Sequence, residues 1–404
     1  MGGVFSTNMT DTTRAAAGWS AHPEALTAGQ SAARMALRRL GNRPAQGVIA
    51  LGSSWFEQTL LLEGIRSVFP STPLIGGSTA GEITPEGPKH RSCVVLALAY
   101  EDLALGVGAG TGVERDPRVA GHQAAQQAVR HLKARTRSGF IFFGDGLLTG
   151  YTEVLRGIQD VLGTSSLVTG GLTGDDLRFV QTYQYADDQV LSRGVTGLLL
   201  GGSCTIGVGV QHGFQPISKP RRITRAQANV LYELDSQPAS SVYEDYFGAA
   251  MMETVQEAGL TRRLIAYPLG IQVDSTGQFL LRNVMSFGAD GSVVCTGEVS
   301  EGSWVQLMIG SKELVMEAAV LAAQEAIRPL RTVHAVLVFD SVTRRRLLGQ
   351  DAGRELDRIQ EVIGASVPLV GCYTYGEQTP LGTPYLSGRS TVQTGACLVI
   401  AIGP

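Results

Sequence analysis

Three short glycine-rich stretches each carry a threonine and end in a carboxylate, a combination able to hold a small charged ligand. They read GGSTAGE at residues 76–82, GGLTGDD at residues 170–176 and GCYTYGE at residues 371–377. Small residues at a strand end leave backbone N–H groups open to an anion, while a carboxylate accepts hydrogen bonds from an ammonium group. The three stretches therefore predict a site for a ligand that bears both charges, as an amino acid does.

An ungapped alignment of the stretches superposes their threonines, their first glycines and their final acids. Two tyrosines are found only in the third stretch and could line a pocket. The predicted ligand-binding residues of the three stretches are Thr79, Gly81, Glu82, Thr173, Asp176, Tyr373, Tyr375, Gly376 and Glu377. The alternative hypothesis is structural: the glycines permit a bulge, and the threonine and acid fix the turn through local hydrogen bonds. The sequence leaves both hypotheses open.

Each glycine-rich stretch lies at the same place in a longer repeat. An alanine-rich amphipathic helix, a short apolar strand and a second helix precede it, and β-branched strands follow it. The first helices read GQSAARMALRRLG, GHQAAQQAVRHLKAR and ELVMEAAVLAAQEAIRPL, and the strands after them AQGVIALG, SGFIFFGD and HAVLVFDS. The pattern predicts a mixed α/β fold in which three αβαββ units form mixed sheets covered by helices, arranged in two domains.

The second and third units are separated by an insert between about residues 214 and 310, with strand-like runs and the turn signals DSTG and GADG. We therefore predict a flexible N-terminus at residues 1–24. An N-terminal domain with two units follows at residues 25–230, and a C-terminal domain with the insert and the third unit at residues 231–404.

The composition excludes several classes of protein. A net charge of -3 does not indicate a protein that binds nucleic acid. The five cysteines are scattered and do not have the spacing of a disulfide framework. The six histidines lack metal-ligand spacing. No apolar run approaches a membrane span, and the first residues do not form a secretory signal. MGGVFS matches a loose N-myristoylation pattern, against which stands a plain disordered start. The prediction is a cytoplasmic protein without a metal.

Longer segments around the repeats carry a resemblance to a known family. They are PLIGGSTAGEI, GFIFFGDG, VGVQHGFQPISKPRRITRAQANVLYELDSQPA, VSEGSWVQLMI, LVFDSVTRRRLLG and VPLVGCYTYGEQTP. Through them the chain resembles FIST proteins, with an N-terminal and a C-terminal FIST domain over about residues 25–403. The resemblance implies a cytoplasmic sensory protein that binds a small ligand, with amino acids proposed. It also implies a signalling partner such as a histidine kinase or a cyclic-nucleotide enzyme.

The resemblance adds one candidate residue and two departures. Family C-domains carry a C-x-x-R element, which here reads SVTR at residues 341–344 and keeps the arginine without the cysteine. Arg344 is thereby a predicted anion partner, because a guanidinium can donate two parallel hydrogen bonds to a carboxylate. A His-Asn pair common near the last strand of the family is replaced by RSTVQTG at residues 389–395.

Two alternative functions follow from other residues. One branch of the family resembles haem-binding nitric oxide sensors, for which His212 in VQHGFQP is the candidate ligand. The other interpretation of His212 is a surface or hinge histidine. Without a CxxCH motif, any haem would be non-covalent. Asp145 and Asp340, at strand ends, are candidates for an enzyme acting on a small metabolite, although aspartates there commonly form turns and caps. We therefore predict a ligand-binding sensor and no catalytic residue.

Overall fold

The computed structural model describes residues 14–100, 102–248, 264–273, 278–380 and 390–404. Residues 1–13 of the segment predicted to be flexible lie outside this range. Residues 15–20 of the same segment form a strand instead. Its backbone pairs antiparallel with a buried strand of the first unit, and its first four residues, which are small, are buried.

The first two units follow the same order of elements. The first unit contains β1 (Ala15–Ser20), α1 (Ala25–Arg39), β2 (Gly47–Ser53), α2 (Gln58–Arg66), β3 (Leu74–Thr79), β4 (Glu82–Thr84), β5 (Gly87–Lys89) and β6 (Cys93–Leu98). The second contains β7 (Leu103–Thr111), α3 (Pro117–His131), β8 (Arg137–Asp145), α4 (Tyr151–Leu162), β9 (Val168–Thr173), β10 (Gln184–Ala186), β11 (Gln189–Leu191) and β12 (Gly194–Gly202). Helix α3 has a side-chain cap at its N-terminus: the Asp116 carboxylate accepts the Val119 N–H, and Pro117 occupies the first turn.

The third unit is interrupted by the insert after its first strand, β13 (Thr205–Gln211). The insert comprises β14 (Phe214–Pro216), β15 (Arg221–Gln227), β16 (Val230–Leu234), β17 (Gln237–Pro238), α5 (Ser241–Phe247), β18 (Leu269–Gln272), β19 (Phe279–Arg282), β20 (Val284–Phe287), β21 (Val293–Cys295) and β22 (Trp304–Gly310). The unit resumes with α6 (Lys312–Ile327), β23 (Ala335–Ser341), α7 (Val342–Leu348), α8 (Ala352–Ile363), β24 (Leu369–Thr374), β25 (Gly376–Pro380), β26 (Ser390–Gln393) and β27 (Cys397–Gly403).

Each unit forms a six-stranded sheet that is completed by a hairpin from another unit. Sheet 1 has the order β1-β6-β2-β3-β10-β11, sheet 2 the order β7-β12-β8-β9-β25-β26, and sheet 3 the order β13-β27-β23-β24-β4-β5. Sheet 1 thus takes its last two strands from the second unit, sheet 2 from the third unit, and sheet 3 from the first. The prediction of a mixed α/β fold is confirmed. The exchange of hairpins between units was not predicted from the sequence.

The central pair of each sheet is parallel, and the remaining pairs are antiparallel. Strands β2 and β3, β8 and β9, and β23 and β24 are the parallel pairs. The strands that the sequence placed at the end of the first two units, β7 and β13, pair instead in the sheet of the following unit. Because β25 joins sheet 2 and β4 joins sheet 3, the hydrogen bonding crosses the predicted boundary at residue 230.

The three sheets share one apolar core on their inner faces and carry helices on their outer faces. Ile49, Phe143 and Phe339, one from each sheet, lie in the shared core. Helices α1 and α2 cover sheet 1, α3 and α4 cover sheet 2, and α6 and α8 cover sheet 3. The insert forms a fourth sheet with its own core, which includes Ile223 and Leu307.

The first glycine of each repeated stretch is required by the neighbouring strand. A Cβ atom at Gly76, Gly170 or Gly371 would lie 1.7, 2.1 or 2.0 Å from the backbone carbonyl oxygen of Ala50, Phe142 or Val338, respectively. Backbone cannot move aside as a flexible side chain can, so only glycine fits. At these three positions the structural hypothesis accounts for the repeat.

Replacing Gly76 by alanine should lower the free energy of unfolding by about 3 kcal/mol or more, because the added methyl overlaps a backbone carbonyl. The matched control is Gly353→Ala near the start of α8, where a Cβ would meet only Pro88 at 3.8 Å. We expect the control to be neutral or slightly stabilising. Urea denaturation measures both, and equal stabilities for the two variants would contradict the steric argument.

Candidate functional site

The carboxyl ends of all three parallel strand pairs meet at one place. The strands end together at Ser53 and Thr79, at Asp145 and Thr173, and at Ser341 and Thr374. Because ligands bind preferentially beyond the carboxyl ends of parallel strands in open α/β sheets, this convergence defines the candidate site.

Backbone hydrogen bonds connect the three repeated stretches in a ring. The Gly174 N–H donates to the Ser78 carbonyl at 3.1 Å, and the Ala80 N–H donates to the Tyr373 carbonyl at 2.9 Å. The Tyr375 N–H closes the ring by donating to the Leu172 carbonyl at 3.1 Å. Each stretch therefore contacts both of the others, although they are far apart in sequence.

The three threonines make equivalent buried hydrogen bonds. Thr79 donates to the Glu82 carboxylate, and Thr374 donates to the Glu377 carboxylate at 2.7 Å. In the second unit the partner is an amide, since Gln184 Nε2 donates to Thr173 Oγ1 at 2.8 Å.

The second unit therefore carries Gln184 at the place of the two glutamates, and the ungapped alignment of Asp176 with them is wrong. The reason is a longer loop, residues 174–183, between β9 and the strand β10 that begins with Gln184. Asp176 lies on this loop and accepts hydrogen bonds from the hydroxyls of Ser53 and Ser54, at 2.9 and 3.4 Å.

Burial changes the acidity of the two glutamates. It raises the pKa of Glu82 to about 7 and the pKa of Glu377 to about 8, against hydrogen bonds that favour the ionised form. Glu82 accepts from Thr79 and from the backbone and hydroxyl of Ser92. Glu377 accepts from Thr374 and the Ala396 N–H. Both carboxyls have local partners that fix the hairpins.

The two aspartates considered for catalysis are not equivalent, which corrects their placement at matching strand ends. Asp145 pairs with Thr173, whereas Asp340 pairs with Tyr373, one residue earlier in the register. A shift of one residue turns a side chain to the other face of the sheet. Asp145 accepts the N–H groups of Leu147 and Arg193, as a turn-forming aspartate does.

Arg344 lies in the interior and its donors are used by the protein. It donates to Asp340 at 2.7 Å, to Glu355, and to the carbonyl oxygens of His212 and Val315 at 2.9 and 2.7 Å. Its side chain is 0% exposed. These contacts assign it a structural role, and its predicted role as an anion partner has no support in the geometry.

The predicted binding residues separate into a buried group and a group at the opening of the ring. Thr79, Glu82, Thr173, Tyr373 and Glu377 are buried, with relative exposures of at most 2%. Asp176 is half-buried and lies at the opening. Gly81 lies beside it, where a Cβ would be 1.8 Å from Arg345 Nη1, so this glycine, with its φ of 127°, makes room for that arginine. The binding roles of these residues stay predictions.

Three arginines share neighbours with Asp176: Arg178 donates to Ser54, which also bonds to Asp176, and Arg91 and Arg345 act on His90 as Asp176 does. Arg91 and Arg178 lie over the Trp55 ring at 4.2 and 4.8 Å from its centroid. Arg345 lies over the Tyr373 ring at 4.4 Å and donates to the Ala80 carbonyl at 2.5 Å. We call this group, with His90 and Asp176, the arginine mouth. Three guanidinium groups and one carboxylate leave it with an excess of positive charge.

His90 lies among these charges. It contacts the Arg345 guanidinium. Partial burial, followed by the charges of Arg345 and Arg91, lowers its pKa, while Asp176 opposes them. A neutral His90 leaves the arginines as the cations of the arginine mouth near neutral pH.

The 174–183 loop is held in an unusual backbone conformation. Asp176, Leu177 and Phe179 have φ values of 55°, 62° and 53°, which non-glycine residues adopt infrequently. The Asp175 carboxylate accepts the N–H groups of Phe179, Val180 and Gln181. The Tyr375 hydroxyl donates to the same carboxylate and accepts the Leu177 N–H at 2.8 Å. Tyr375, a predicted site residue, thus fastens the loop that carries Asp176.

Sequence reasoning missed most of the arginine mouth. Ser53 ends strand β2, and Ser54 and Trp55 follow it directly; a polar cluster at a strand end is a signal for a site. Arg345 directly follows Arg344, which the sequence predicts as an anion partner. Arg91 has a counterpart in Arg193, because each precedes the residue whose N–H bonds to the buried Glu82 or Gln184. Arg178 lies on the loop that is longer in the second unit, so a search for repeated motifs does not find it.

His212 lies in the turn between β13 and β14. Its Nδ1 accepts the Phe214 N–H at 2.9 Å, and burial, followed by the charge of the nearby Arg344, lowers its pKa to about 4. A haem pocket requires apolar walls around an accessible ligand, whereas His212 is enclosed by a turn and a charged group. These neighbours fit a hinge histidine, and they do not favour haem.

Within the described ranges, no helix is long and apolar enough to cross a bilayer. Within the same ranges, no group of three or more His, Cys, Asp or Glu side chains is arranged to hold a metal ion.

The chain matches two family profiles and a small set of relatives. The FIST N domain matches residues 46–237, and the FIST C domain matches residues 239–380. An uncharacterized protein of Methanocaldococcus jannaschii is 25% identical over 267 residues, or 61% of this chain and 50% of that protein. One of Mycobacterium bovis is 29% identical over 241 residues, or 55% and 57%. The chain thus spans just over half the length of these relatives.

Among solved structures, a cyanuric acid hydrolase from A. caulinodans covers 96% of this chain, and 99% of its own length is covered. The sequence identity is 10% and the TM-score is 0.39. At this TM-score the similarity carries no argument about function.

The two buried glutamates predict a pH-dependent stability. Above the ordinary carboxyl pKa of 4.5, the unfolded chain loses these protons while the folded chain keeps them. The free energy of unfolding should therefore fall by about 1.4 kcal/mol per pH unit for each carboxyl. This decline should end near pH 7 for Glu82 and near pH 8 for Glu377.

Glu82→Gln should fold and lose its share of that slope, because the second unit already uses Gln184 at this position. The reverse change, Gln184→Glu, is the matched control and should add a slope. Denaturant titrations at a series of pH values measure both effects. An unchanged slope in Glu82→Gln would show that the carboxyl is ionised in the folded protein.

Tyr375→Phe should release the 174–183 loop, because phenylalanine cannot bond to Asp175 and Leu177. We expect a loss of about 1.5–3 kcal/mol of stability and faster amide hydrogen exchange within the loop. Tyr246→Phe, which removes one hydroxyl bond to the Ile217 carbonyl, is the control with a smaller loss. Unchanged exchange in the loop of Tyr375→Phe would refute its role as the fastening residue.

Proposed function

The chain belongs to the FIST family, and from that premise we propose that it is a sensor that binds a small amino-acid-like ligand at the arginine mouth and reports to a partner protein. FIST domains are associated with signalling-related small-ligand sensing. The observation that carries the proposal is the grouping of Arg91, Arg178 and Arg345 with Asp176, through Ser54 and His90, beside the carboxyl ends of three parallel strand pairs.

The chemistry of the arginine mouth matches the two ends of an amino acid. A guanidinium donates paired hydrogen bonds to a carboxylate. The Asp176 carboxylate accepts from an ammonium group, and the hydroxyls of Ser53 and Ser54 hold that carboxylate in place. Trp55 is 51% exposed and stacks with two of the arginines, so its ring holds their guanidinium groups beside Asp176.

A route from ligand to partner follows from the 174–183 loop. Asp176 and Arg178 belong both to this loop and to the arginine mouth, and the same loop exposes Phe179 and Val180, by 54% and 76%. A ligand held by Asp176 and Arg178 restrains the loop and thereby the surface next to it. In our proposal, a cytoplasmic partner such as a histidine kinase or a cyclic-nucleotide enzyme senses this restraint.

The test is thermal unfolding of the purified protein with each of the common amino acids. A ligand of the folded state at about 100 times its Kd stabilises by about 2.7 kcal/mol. Arg345→Met should weaken binding by about 10- to 100-fold, the loss expected for one charge-assisted hydrogen bond. Arg130→Met is the matched control, because Arg130 is exposed on α3 and bonds to Gln126 of the same helix.

Asp176→Asn separates the two halves of the proposed contact. It should weaken binding of an amino acid, yet leave unchanged the binding of the same molecule without its amino group, such as glutarate in place of glutamate. The absence of any stabilisation by amino acids or their deaminated forms would refute the proposed function. Equal losses in Arg345→Met and Arg130→Met would place the ligand elsewhere.

A further inference from the structure

A second group of charges lies entirely inside the third unit, behind the arginine mouth. Asp340 is the penultimate residue of strand β23, Arg344 lies on α7, and Glu355 lies on α8. All three side chains are 0% exposed. The proposed ligand site uses none of them, so their presence in the core needs a separate explanation.

One guanidinium faces two carboxyl groups in this cluster. Arg344 Nε bonds to Asp340 Oδ1 at 2.7 Å, and Arg344 Nη2 bonds to Glu355 Oε1. The second oxygens, Asp340 Oδ2 and Glu355 Oε2, have no hydrogen-bond donor within the described residues. The two carboxyl groups are nevertheless within hydrogen-bonding range of each other.

The other groups around the pair bring no second positive charge. Glu377 of β25 faces it, and burial raises the pKa of that carboxyl to about 8. Tyr373 of β24 and Cys397 of β27 also face it, and burial raises the pKa of both, so both are neutral. His212, beside Arg344, has its pKa lowered to about 4 and is neutral as well. Arg344 is therefore the cation available to the pair in the described structure.

Two ionised carboxylates beside one guanidinium would leave a net negative charge in the core. An unbalanced buried charge costs several kcal/mol, and two unpartnered carboxylate oxygens add to that cost. One proton between Oδ2 and Oε2 removes the excess charge and supplies the missing donor in a single step. Paired carboxyls that share a site hold a proton for the same reason.

We infer that Asp340 and Glu355 share a single proton, which makes them a buried proton-binding site that fixes helix α7 to strand β23 and helix α8. The proton is retained at neutral pH and is released as the pH rises. Burial, and next the charge of Glu355, raises the pKa of Asp340, in agreement with the geometry.

The position of α7 links this site to the arginine mouth. Arg345 directly follows Arg344, and its guanidinium lies over the ring of Tyr373. Release of the proton leaves two carboxylates that repel each other while both hold Arg344, so a change in their spacing shifts α7 and with it Arg345. The consequence for ligand affinity rests on the proposed function, whereas the proton-binding site itself does not.

The test uses the Glu82→Gln/Glu377→Gln protein, in which the other two carboxyls with raised pKa values among the described residues are replaced. Its infrared spectrum at neutral pH should retain the absorption of one protonated carboxyl group. Asp340→Asn and Glu355→Gln, each made in that background, should fold and lose the absorption, because either amide supplies the donor in place of the proton. Asp357→Asn, on the exposed side of α8, is the control that should keep it.

The same variants should change the pH dependence of stability. In the background protein the unfolding equilibrium constant should rise about tenfold per pH unit above the ordinary carboxyl range, which corresponds to one retained proton. Both amide variants should lose this rise. Absence of the infrared absorption from the background protein, or an unchanged pH slope in both amide variants, would overturn the inference. If one amide variant fails to fold, the other and the background spectrum still decide.

Discussion

Three backbone hydrogen bonds join the glycine-rich stretches in a ring, and the architecture of the three α/β units depends on this contact. The bonds run from Gly174 to Ser78, from Ala80 to Tyr373 and from Tyr375 to Leu172. Each unit sends a hairpin past the ring to complete the sheet of another unit. No unit has a complete sheet by itself, so folding of the three is expected to be cooperative. Just before the ring, the first position of each stretch is glycine because the neighbouring parallel strand of the same unit leaves no room for a Cβ atom.

The ring also explains why the buried polar groups are similar but not identical. A hairpin that begins beside a strand end must satisfy a threonine hydroxyl and a backbone N–H inside the core. Glutamate does this in two units and glutamine in one. The amide is neutral without taking up a proton. Each buried carboxyl must keep a proton to be neutral, so the stability of the fold depends on pH. The polar contacts of the ring are thus structural, and their chemistry differs in protonation.

The features suited to ligand binding arise where the threefold similarity breaks down. The long loop of the second unit brings Asp176 and Arg178 over the strand end of the first, and α7 of the third unit brings Arg345 to the same opening. The arginine mouth therefore draws on all three units, and on both family domains. It is supported by the ring below it and by Asp175, which holds the strained loop through Tyr375.

The sequence by itself determined the units, the mixed α/β class and the insert, because these follow from local periodicity and from recurrence, whereas the structural need for the repeated glycines was decided by the neighbouring strands. It also selected Asp176 and the tyrosine that fastens its loop, but it could not separate buried residues from accessible ones. Tertiary structure alone decided that Arg344 is enclosed while Arg345 is at the surface, since consecutive residues of a helix point in different directions. It also decided that Gln184, rather than Asp176, matches the two glutamates, because hairpin exchange between units sets that correspondence and no local pattern encodes it.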